Sequence, residues 1–280
     1  MQTCGYFNTF FARNFNLVNL LWAIQFAVNS KNFKTIEKMS TLSTNKITVY
    51  CSTYNSIQWI DGYLQNINSQ ICESFDLFFV DAGSTDGSLE KIKEFTFRND
   101  ISVSIFEPGF LSVYGAWNYA VDKSTTPYVM NFNTDDRLDF YALSTYHEYI
   151  NKFPEVDLFY GTHNFVSQIG GSNLPIGNYW KNLIDKLISE SEEKLMFTIN
   201  PCGPFPLAKR SSLIKAGKFD EKYFSSADYD TWLRMFFMGM KFKRINKHMG
   251  DFLYRPDSVS QSRLRESEKH DREIQAKYKT

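Results

Sequence analysis

The sequence predicts an α/β fold in which a Rossmann-like, mainly parallel sheet is flanked by helices. From residue 47 onward, short apolar runs alternate with segments whose apolar residues recur at helical spacing. Strands and helices alternate at intervals that fit right-handed βαβ units, from which parallel sheets are built. The chain has 280 residues, of which 43% are hydrophobic and 22% are charged, so it can bury the core that such a sheet requires.

This alternation is clearest between residues 47 and 132. Apolar runs predict strands at residues 47–52, 75–80, 102–106 and 128–132. Helical periodicity predicts helices at residues 57–67, 89–97 and 114–123. Polar turns follow three of the strands, at residues 53–56, 81–87 and 133–136. Because ligands bind such sheets outside the carboxyl ends of the strands, these turns form the candidate binding region.

The second half of the chain is less regular. Periodicity predicts helices at residues 143–153, 179–191 and 229–238, and an apolar run predicts a strand at residues 156–160. Three prolines between Pro201 and Pro206 remove backbone donors and fix φ, so we expect this segment to be irregular. The charge-rich residues 261–280 predict a solvated C-terminal helix.

Residues 1–46 differ in composition from the rest of the chain. Asn, Phe and Lys dominate, and residues 39–46 are typical of a polar linker. We expect an appendage here, either an amphipathic docking helix or a product of start-site choice, followed by one main domain at residues 47–260. The apolar stretch at residues 17–28 is shorter than the ~20 residues that span a bilayer. We therefore expect a soluble, cytoplasmic protein whose contact with membranes is at most peripheral.

The charge balance and the cysteines exclude several classes of protein. Basic and acidic residues number 31 each, which argues against a nucleic-acid-binding protein that works through a broad basic surface. The four cysteines, Cys4, Cys51, Cys72 and Cys202, are far apart and show no metal-ligand spacing. Neither a zinc site nor a disulfide framework is predicted, and a reducing compartment fits best.

Two adjacent carboxylates, Asp135 and Asp136, follow the strand at residues 128–132. Such a pair can bind Mg²⁺ or Mn²⁺, which prefer oxygen ligands and commonly keep diphosphate oxygens in their coordination shell. Taken alone, such a pair is more often a solvent-exposed Asp-Asp turn than a metal site. The turn at residues 81–87 likewise fits a simple turn followed by a helix N-cap at Ser84 or Asp86.

Motifs in a fixed order resemble those of glycosyltransferase family 2, whose members have the GT-A fold. They are Thr53–Asn55, Val80–Gly87, Tyr114–Asn118, Asn133–Arg137, Val156–Gly161, Phe205–Leu213, Gly217–Glu221 and Ala227–Arg234. Each motif is weak alone, but their shared order over residues 47–260 is specific. The resemblance implies a GT-A glycosyltransferase domain that transfers a sugar, with inversion, from a nucleotide-diphosphate sugar to an acceptor hydroxyl.

The resemblance also implies roles for individual residues. Thr53 and Asp81 would line the base and ribose of the nucleotide, with Tyr54 beside the base. Asp135 and Asp136 would bind Mn²⁺ or Mg²⁺ together with the diphosphate. The candidate substrate-binding residues are then Thr53, Tyr54, Asn55, Asp81, Ala82, Asn118, Asn133, Thr134, Asp135 and Arg255. The implied partners are the sugar donor and a glycan, lipid-linked or protein acceptor, and no nucleic acid.

Asp228 matches the acidic residue that acts in this family as the general base on the acceptor hydroxyl. Sugar transfer requires charge relief on the leaving group and removal of a proton from the incoming hydroxyl, which a divalent ion and a carboxylate supply. Because Asp228 lies just before the helix predicted at residues 229–238, an N-cap role is the alternative. We interpret Trp232 and Arg234, on the same helix, as structural support.

Three departures from the family pattern bear on the site. Ala82 stands where many members have a second Asp, Gly115 replaces a common acidic residue, and residues 254–260 lack a His often found there. Arg255 could neutralise phosphate there, or Asp257 could contact the metal or the diphosphate. These losses favour, as the alternative, a catalytically weakened module that binds nucleotide sugars. A Rossmann-type oxidoreductase is disfavoured because no Gly-x-Gly-x-x-Gly motif follows the first strand.

Overall fold

The computed structural model describes residues 47–72, 75–258 and 264–278, and these residues contain one eight-stranded sheet. The strands are β1 Ile47–Thr53, β2 Phe75–Asp81, β3 Ile101–Phe106, β4 Tyr128–Asn131, β5 Arg137–Leu138, β6 Leu158–Val166, β7 Leu207–Lys209 and β8 Phe242–Leu253. They lie side by side in the order β3-β2-β1-β4-β7-β6-β8-β5. The expected α/β fold with a mainly parallel sheet is confirmed.

The neighbouring strands β3, β2, β1 and β4 run parallel to one another. Every residue of β1 except Ser52 is buried, and so is every residue of β2 except Asp76. Such nearly continuous burial is typical of parallel strands that are covered on both faces. The register pairs Thr53 with Asp81 at the carboxyl ends of β1 and β2, which brings the turns that follow them together.

The sheet beyond β4 contains strands that the sequence did not predict. The three-residue strand β7 pairs antiparallel with both β4 and β6. Strand β8 is 12 residues long and runs parallel to β6, with irregular register between Gly161 and His163. Its exposed and buried residues do not alternate, so it lacks the period of two that identifies a half-buried strand.

Helices cover both faces of the sheet. They are α1 Ile57–Asn68, α2 Ser88–Glu94, α3 Val113–Lys123, α4 Ala142–Lys152, α5 Pro175–Glu190, α6 Glu192–Thr198, α7 Arg210–Lys215, α8 Ala227–Phe237 and α9 Leu264–Tyr278. Buried residues of α1 and α4, such as Leu64 and Tyr146, belong to one core cluster. Buried residues of α3 and α8, such as Trp117 and Trp232, belong to a second cluster. The short helices α6 and α7 were not predicted because they span too few turns to show periodicity.

Helix α9 packs against α8 instead of being fully solvated as expected. Ile274 is completely buried. The side chain of Gln275 donates to the hydroxyl of Tyr229 at 3.2 Å, and Lys277 donates to Asp230 at 2.7 Å. These contacts, together with a hydrogen bond between Ser267 and Ser225 and the stacking of Tyr278 on Phe237, attach a mostly charged helix to the domain.

No helix within the described ranges is long and apolar enough to cross a membrane. The appendage and linker predicted at residues 1–46 lie outside the described residues.

Candidate active site

Hydrogen bonds centred on Asp81 join the turns that follow β1 and β2. The hydroxyls of Thr53 and Ser84 donate to Oδ1 of Asp81 at 3.0 and 2.6 Å. The backbone N–H groups of Gly83 and Ser84 donate to Oδ2 at 3.0 and 2.8 Å. These four donors fill the acceptor positions of an ionised carboxylate. Asp81, which is buried, therefore braces the turn, and its contact with a nucleotide stays a prediction.

Asn55 adds a second connection between the two turns. Its backbone N–H donates to Oγ of Ser84 at 3.0 Å, and its side-chain oxygen accepts from the N–H of Thr85 at 2.9 Å. The N–H of Ile57 donates to Asp86 at 2.8 Å. Asn55 adopts a φ of 48°, a left-handed conformation that Asn tolerates better than most residues. The turn that carries Tyr54 is thus held at both ends.

The N-cap expected at Ser84 or Asp86 is wrong. Helix α2 begins at Ser88 and its N-cap is Gly87, which has no side chain that could cap the helix. The carboxylate of Asp86 instead accepts from the N–H of Ser88 at 3.0 Å. Ala82 is buried and brings only a methyl group to this region.

Two exposed aromatic side chains lie at the carboxyl edge of the sheet. Tyr54 is 55% exposed and Phe110, in the turn after β3, is 80% exposed. Their rings meet edge to face with centroids 6.1 Å apart. Exposed aromatic faces can stack on nucleobases. The sequence did not single out Phe110, although an apolar residue next to Gly109 in a turn after a strand was the available signal.

Asp136 is buried beneath the turn that follows β4, with 1% of its surface exposed. Its Oδ1 accepts from the N–H of Leu253, in β8, at 3.0 Å. Its Oδ2 has no hydrogen-bond partner among the described residues. Burial and the neighbouring charge of Asp135 raise the pKa of the Asp136 carboxyl well above its usual range. A buried carboxylate oxygen that has no hydrogen-bond partner can carry a proton or bind a cation.

Arg255 binds the partly exposed side chain of Asp135. Its Nε and Nη2 lie 3.0 and 2.9 Å from Oδ2 of Asp135. Its Nη1 lies 2.9 Å from the exposed carboxylate of Asp257, and the guanidinium lies 5.3 Å from the centre of the Trp59 ring. Arg255 therefore reaches the predicted metal-binding turn.

Arg137 braces the same turn against helix α1. Its Nη1 donates to the carbonyls of Thr134, at 3.0 Å, and of Asp136. A Cβ at position 62 would lie 2.2 Å from Nη2 of Arg137, so Gly62 leaves the space that the guanidinium fills. The carbonyl of Asn133 accepts from the N–H of Asp136 at 3.3 Å. Asn133 and Thr134 thus shape the turn through their backbones.

Asp228 lies in the first turn of α8, where two side chains hold it. The Tyr114 hydroxyl donates to Oδ1 and the Asn200 amide donates to Oδ2, both at 2.8 Å. The N-cap of α8 is Ser226, so the alternative N-cap role for Asp228 is wrong. Burial raises the pKa of Asp228, and the two hydrogen bonds oppose this shift. The sequence did not single out Asn200, whose only signal is its position before Pro201.

Asn118 contacts the backbone of Phe219 through both ends of its amide. Its Nδ2 donates to the carbonyl of Phe219 at 2.8 Å, and its Oδ1 accepts from the N–H at 3.0 Å. The amide therefore ties α3 to the segment that precedes α8. The substrate contact that the resemblance implies for Asn118 stays a prediction.

The carboxylate of Glu221 lies beside Gly115. A Cβ at position 115 would be 2.6 Å from Oε2 of Glu221 and 3.0 Å from Oγ of Ser112. Ser112 caps helix α3 and donates to Glu221. The carboxylate of Glu221 thus lies close to position 115, where the family pattern has an acidic side chain.

The charges of Asp228 and of the Asp135–Asp136 pair act on adjacent residues of strand β1. Burial raises the pKa of Tyr50, and the charge of Asp228 raises it further. Burial also raises the pKa of the adjacent Cys51, on which the charges of Asp135 and Asp136 act in the same direction.

The Asp pair fits a cation that needs few protein ligands. The described part of the chain contains no group of three or more His, Cys, Asp or Glu side chains that could hold a metal. Mg²⁺ and Mn²⁺ at phosphate sites require only one or two carboxylates, and the other ligands are water and phosphate oxygens. The unpartnered oxygen of Asp136 and the partly exposed carboxylate of Asp135 satisfy this requirement.

Comparisons with known proteins identify a relative in sequence. The chain is 33% identical over 126 residues to a teichoic acid poly(glycerol phosphate) polymerase from Staphylococcus epidermidis. That match covers 44% of this chain but only 17% of the length of the polymerase.

Two solved structures share the fold at 18% sequence identity. One is S. aureus TarS 1-349 in complex with UDP, with a TM-score of 0.59 over 83% of this chain and 70% of that one. The other is the mannosyltransferase PcManGT from Pyrobaculum calidifontis in complex with GDP-Man and Mn²⁺, with a TM-score of 0.63 over 89% and 71%. The described domain has the GT-A fold that was expected.

A sequence model described as glycosyl transferase family 2 matches residues 48–215, which is more than half of the chain. This match includes the turns that carry Thr53, Asp81 and Asp135, and it ends before Asp228. The chain therefore belongs to glycosyl transferase family 2.

Proposed function

We propose that this chain transfers a sugar, with inversion, from a nucleotide-diphosphate sugar to an acceptor hydroxyl. The observation that carries the proposal is the position of Asp228 in the first turn of α8, held by Tyr114 and Asn200 with a raised pKa. A raised pKa brings a carboxylate closer to the operating pH, which makes it a better general base. Family membership supplies the reaction class.

The base acts on the incoming hydroxyl. Asp228 takes the proton of the acceptor as its oxygen bonds to the anomeric carbon, and the bond from that carbon to the diphosphate breaks. The nucleoside diphosphate leaves with the electron pair, and attack from the opposite side inverts the configuration. Tyr114 and Asn200 each donate one hydrogen bond to Asp228, so their role is to orient the carboxylate.

The donor diphosphate lies at the turn after β4. Asp135 and Asp136 would hold Mn²⁺ or Mg²⁺, which supplies Lewis acidity and neutralises charge on the leaving group. Arg255, already at this turn, contributes a guanidinium that can bind phosphate oxygens bidentately. The Mn²⁺ and GDP-Man in the PcManGT complex support a divalent cation for this chain as well.

The nucleotide base lies at the turns after β1, β2 and β3. Tyr54 and Phe110 offer exposed rings on which a base can stack. Thr53, Asn55 and Asp81 shape the floor of this region through their mutual contacts. TarS binds UDP and PcManGT binds GDP-Man, which supports a nucleotide-sugar donor for this chain.

The second candidate is a catalytically weakened module that binds nucleotide sugars. Ala82 favours it because no polar side chain from this position is available to read the base, and the acceptor positions of Asp81 are occupied. In both cases the partner is a sugar donor. Only the transferase also requires an acceptor, which is a glycan, a lipid-linked molecule or a protein.

A thermal-shift screen of the full chain with UDP-, GDP- and dTDP-sugars, with and without Mn²⁺, tests donor binding because a ligand of the native state raises Tm. We expect one nucleotide class to raise Tm in the presence of Mn²⁺. Donor hydrolysis is then followed with the same sugar. Turnover supports the transferase, binding without turnover supports the weakened module, and the absence of any Tm shift contradicts both.

A further inference from the structure

A pocket between β6, α5 and β8 contains none of the proposed donor-binding residues. Its volume is about 310 Å³, at the small end of the range for ligand pockets (about 300–1,000 Å³). Pro201 lines it, and the preceding residue, Asn200, donates to Asp228 at 2.8 Å. The pocket is therefore one residue along the chain from the contact that orients the proposed base.

The lining of this pocket is polar and aromatic. It includes one indole, four amide side chains and two imidazoles, from Trp180, Asn164, Asn173, Asn178, Asn246, His163 and His248. Trp180 packs against a small apolar cluster of Leu187, Leu195 and Ile199. Burial and the nearby His248 lower the pKa of His163 to about 4, so its ring is neutral at pH 7.

Such a lining fits a hydroxylated ligand. Within the described residues, neither His163 nor Asn246 makes a side-chain hydrogen bond to the protein, which leaves donors and acceptors for hydroxyl groups. An aromatic face packs against the C–H groups of a sugar or polyol, while a few polar groups set its orientation. A purely apolar chain would leave these polar groups unpaired, which is costly.

The charge of the pocket favours an anion. The described lining contains Lys181 and Arg244 and no carboxylate. Asp185 neutralises Arg244 at 2.8 Å, and Asp251 lies 3.4 Å from His248. Lys181 makes no ion pair with any described residue, so one positive charge at the pocket is uncompensated.

We propose that this pocket binds the acceptor, and that the acceptor is a polyol or sugar that carries a phosphate. The inference rests on the proposed function, because it names the acceptor of the same reaction. Lys181 binds the phosphate, and the hydroxylated part lies against Trp180 and the amides. A hydroxyl of this acceptor gives its proton to Asp228 as its oxygen bonds to the anomeric carbon and the nucleoside diphosphate leaves.

Titration of the full chain with glycerol 3-phosphate, glycerol and inorganic phosphate, followed by calorimetry, tests this assignment without a sugar donor. We expect glycerol 3-phosphate to bind about tenfold more tightly than either of the other two, as one charge-assisted contact would give. Equal binding of inorganic phosphate and glycerol 3-phosphate would show that the pocket recognises only the phosphate and not the polyol. Equal binding of glycerol and glycerol 3-phosphate would show that Lys181 does not bind the phosphate. Either result overturns the proposal.

Lys181→Met keeps the aliphatic stem and removes the charge, and we expect it to lose this tenfold preference. Lys186→Met is the matched control, because Lys186 is exposed on the same helix but does not line the pocket. An equal loss in both variants, or no loss in Lys181→Met, would overturn the assignment. Because these are binding measurements, they can fail while donor hydrolysis succeeds, or succeed while donor hydrolysis fails. The two proposals are therefore separable.

The same phosphate chemistry can come from a free molecule or from a lipid headgroup. Vesicles that contain phosphatidylglycerol, compared with vesicles of phosphatidylcholine alone, separate these two sources. Binding to phosphatidylglycerol vesicles that free glycerol 3-phosphate displaces supports a lipid-borne acceptor in this pocket. No vesicle binding, together with binding of the free compound, supports a soluble acceptor. Vesicle binding that glycerol 3-phosphate does not displace would show that the lipid binds outside this pocket, which contradicts a lipid-borne acceptor here.

Discussion

Arg255 contacts Asp135 through two nitrogen atoms that share a single carboxylate oxygen, with Nε at 3.0 Å and Nη2 at 2.9 Å from Oδ2. The other oxygen of Asp135 makes no hydrogen bond or ion pair with the described residues, and Oδ2 of the adjacent Asp136 has no partner there either. The turn thus presents two carboxylate oxygens that the protein leaves available, next to a guanidinium. This combination fits a cation and a diphosphate that bind together.

Asp135→Asn is therefore expected to weaken the binding of metal and nucleotide together. The amide keeps the shape of the side chain but loses the negative charge that attracts the cation. Calorimetric titration of a nucleoside diphosphate should show a large gain in affinity on adding Mn²⁺ for the natural chain and little gain for the variant. Asp257→Asn is the control, because Asp257 also contacts Arg255 but is 71% exposed. If the control loses the Mn²⁺ effect and Asp135→Asn keeps it, the metal assignment moves to Asp257.

Gly62→Ala is expected to reduce stability, against the usual trend. In a helix interior, Ala is normally more favourable than Gly by about 1 kcal/mol. Here the added Cβ would lie 2.2 Å from Nη2 of Arg137, so the guanidinium must shift, and we expect its Nη1 to lose the carbonyls of Thr134 and Asp136. Urea unfolding should give a lower free energy of unfolding, and the Mn²⁺ effect on nucleotide binding should weaken as well. A more stable variant with unchanged binding would show that Arg137 does not brace the turn.

Tyr114→Phe is expected to shift the pH dependence of turnover. The Tyr114 hydroxyl donates to the ionised form of Asp228 and so opposes the rise in pKa that burial causes. Without this donor the pKa of Asp228 rises further, and the carboxylate stays protonated up to a higher pH. The acidic limb of the kcat profile should move to higher pH. A uniform loss of rate with an unmoved limb would assign Tyr114 a purely structural role.

His163 is expected to make stability fall in mildly acidic solution. Burial and the nearby His248 lower the pKa of His163 from 6.5 to about 4. Between these values the unfolded chain binds more protons than the native state, so stability decreases as the pH falls from about 6.5 to about 4. Urea unfolding of the natural chain and of His163→Asn at pH 7, 6 and 5 measures this. The natural chain should lose more stability than the variant, and parallel curves would contradict the assignment.

The sequence predicted the fold well in the parts where burial is continuous. Strands β1, β2 and β4 lie in the buried half of the sheet, so their apolar runs identify them and the topology brings their turns together. The location of the Asp135–Asp136 turn at a strand end followed directly. Strand β8 was missed because its charged and apolar residues do not alternate.

The contacts that complete the site could not be predicted because they come from distant parts of the chain. Leu253 reaches Asp136 and Arg255 reaches Asp135 only because β8 returns beside β6. Asn200 reaches Asp228 from an irregular segment without periodicity. These contacts depend on how the second half of the chain packs against the first half, and local sequence patterns carry no information about that packing.

Asp230 provides the control for the proposed base, since it lies two residues after Asp228 on the same helix. It is 1% exposed and paired with Arg234 at 2.8 Å and Lys277 at 2.7 Å. Asp230→Asn is expected to cost about 3 kcal/mol, near the lower end for breaking a buried ion pair. The variant should keep its kcat at temperatures where it remains folded.

The turnover of Asp228→Asn is the decisive test of Asp228 as the general base. The amide preserves the shape of the side chain. Its oxygen can still accept from Tyr114, and its NH2 can donate to the unpartnered oxygen of Asn200 when the Asn200 amide flips, so donor affinity and Tm should change little. Because proton acceptance is lost in the transition state, kcat should fall by roughly 10²–10⁴-fold at unchanged donor Kd. The measurement is single-turnover transfer with saturating donor and Mn²⁺, alongside Asp230→Asn. A kcat within a fewfold of the natural value, with the control more strongly impaired, would contradict Asp228 as the base.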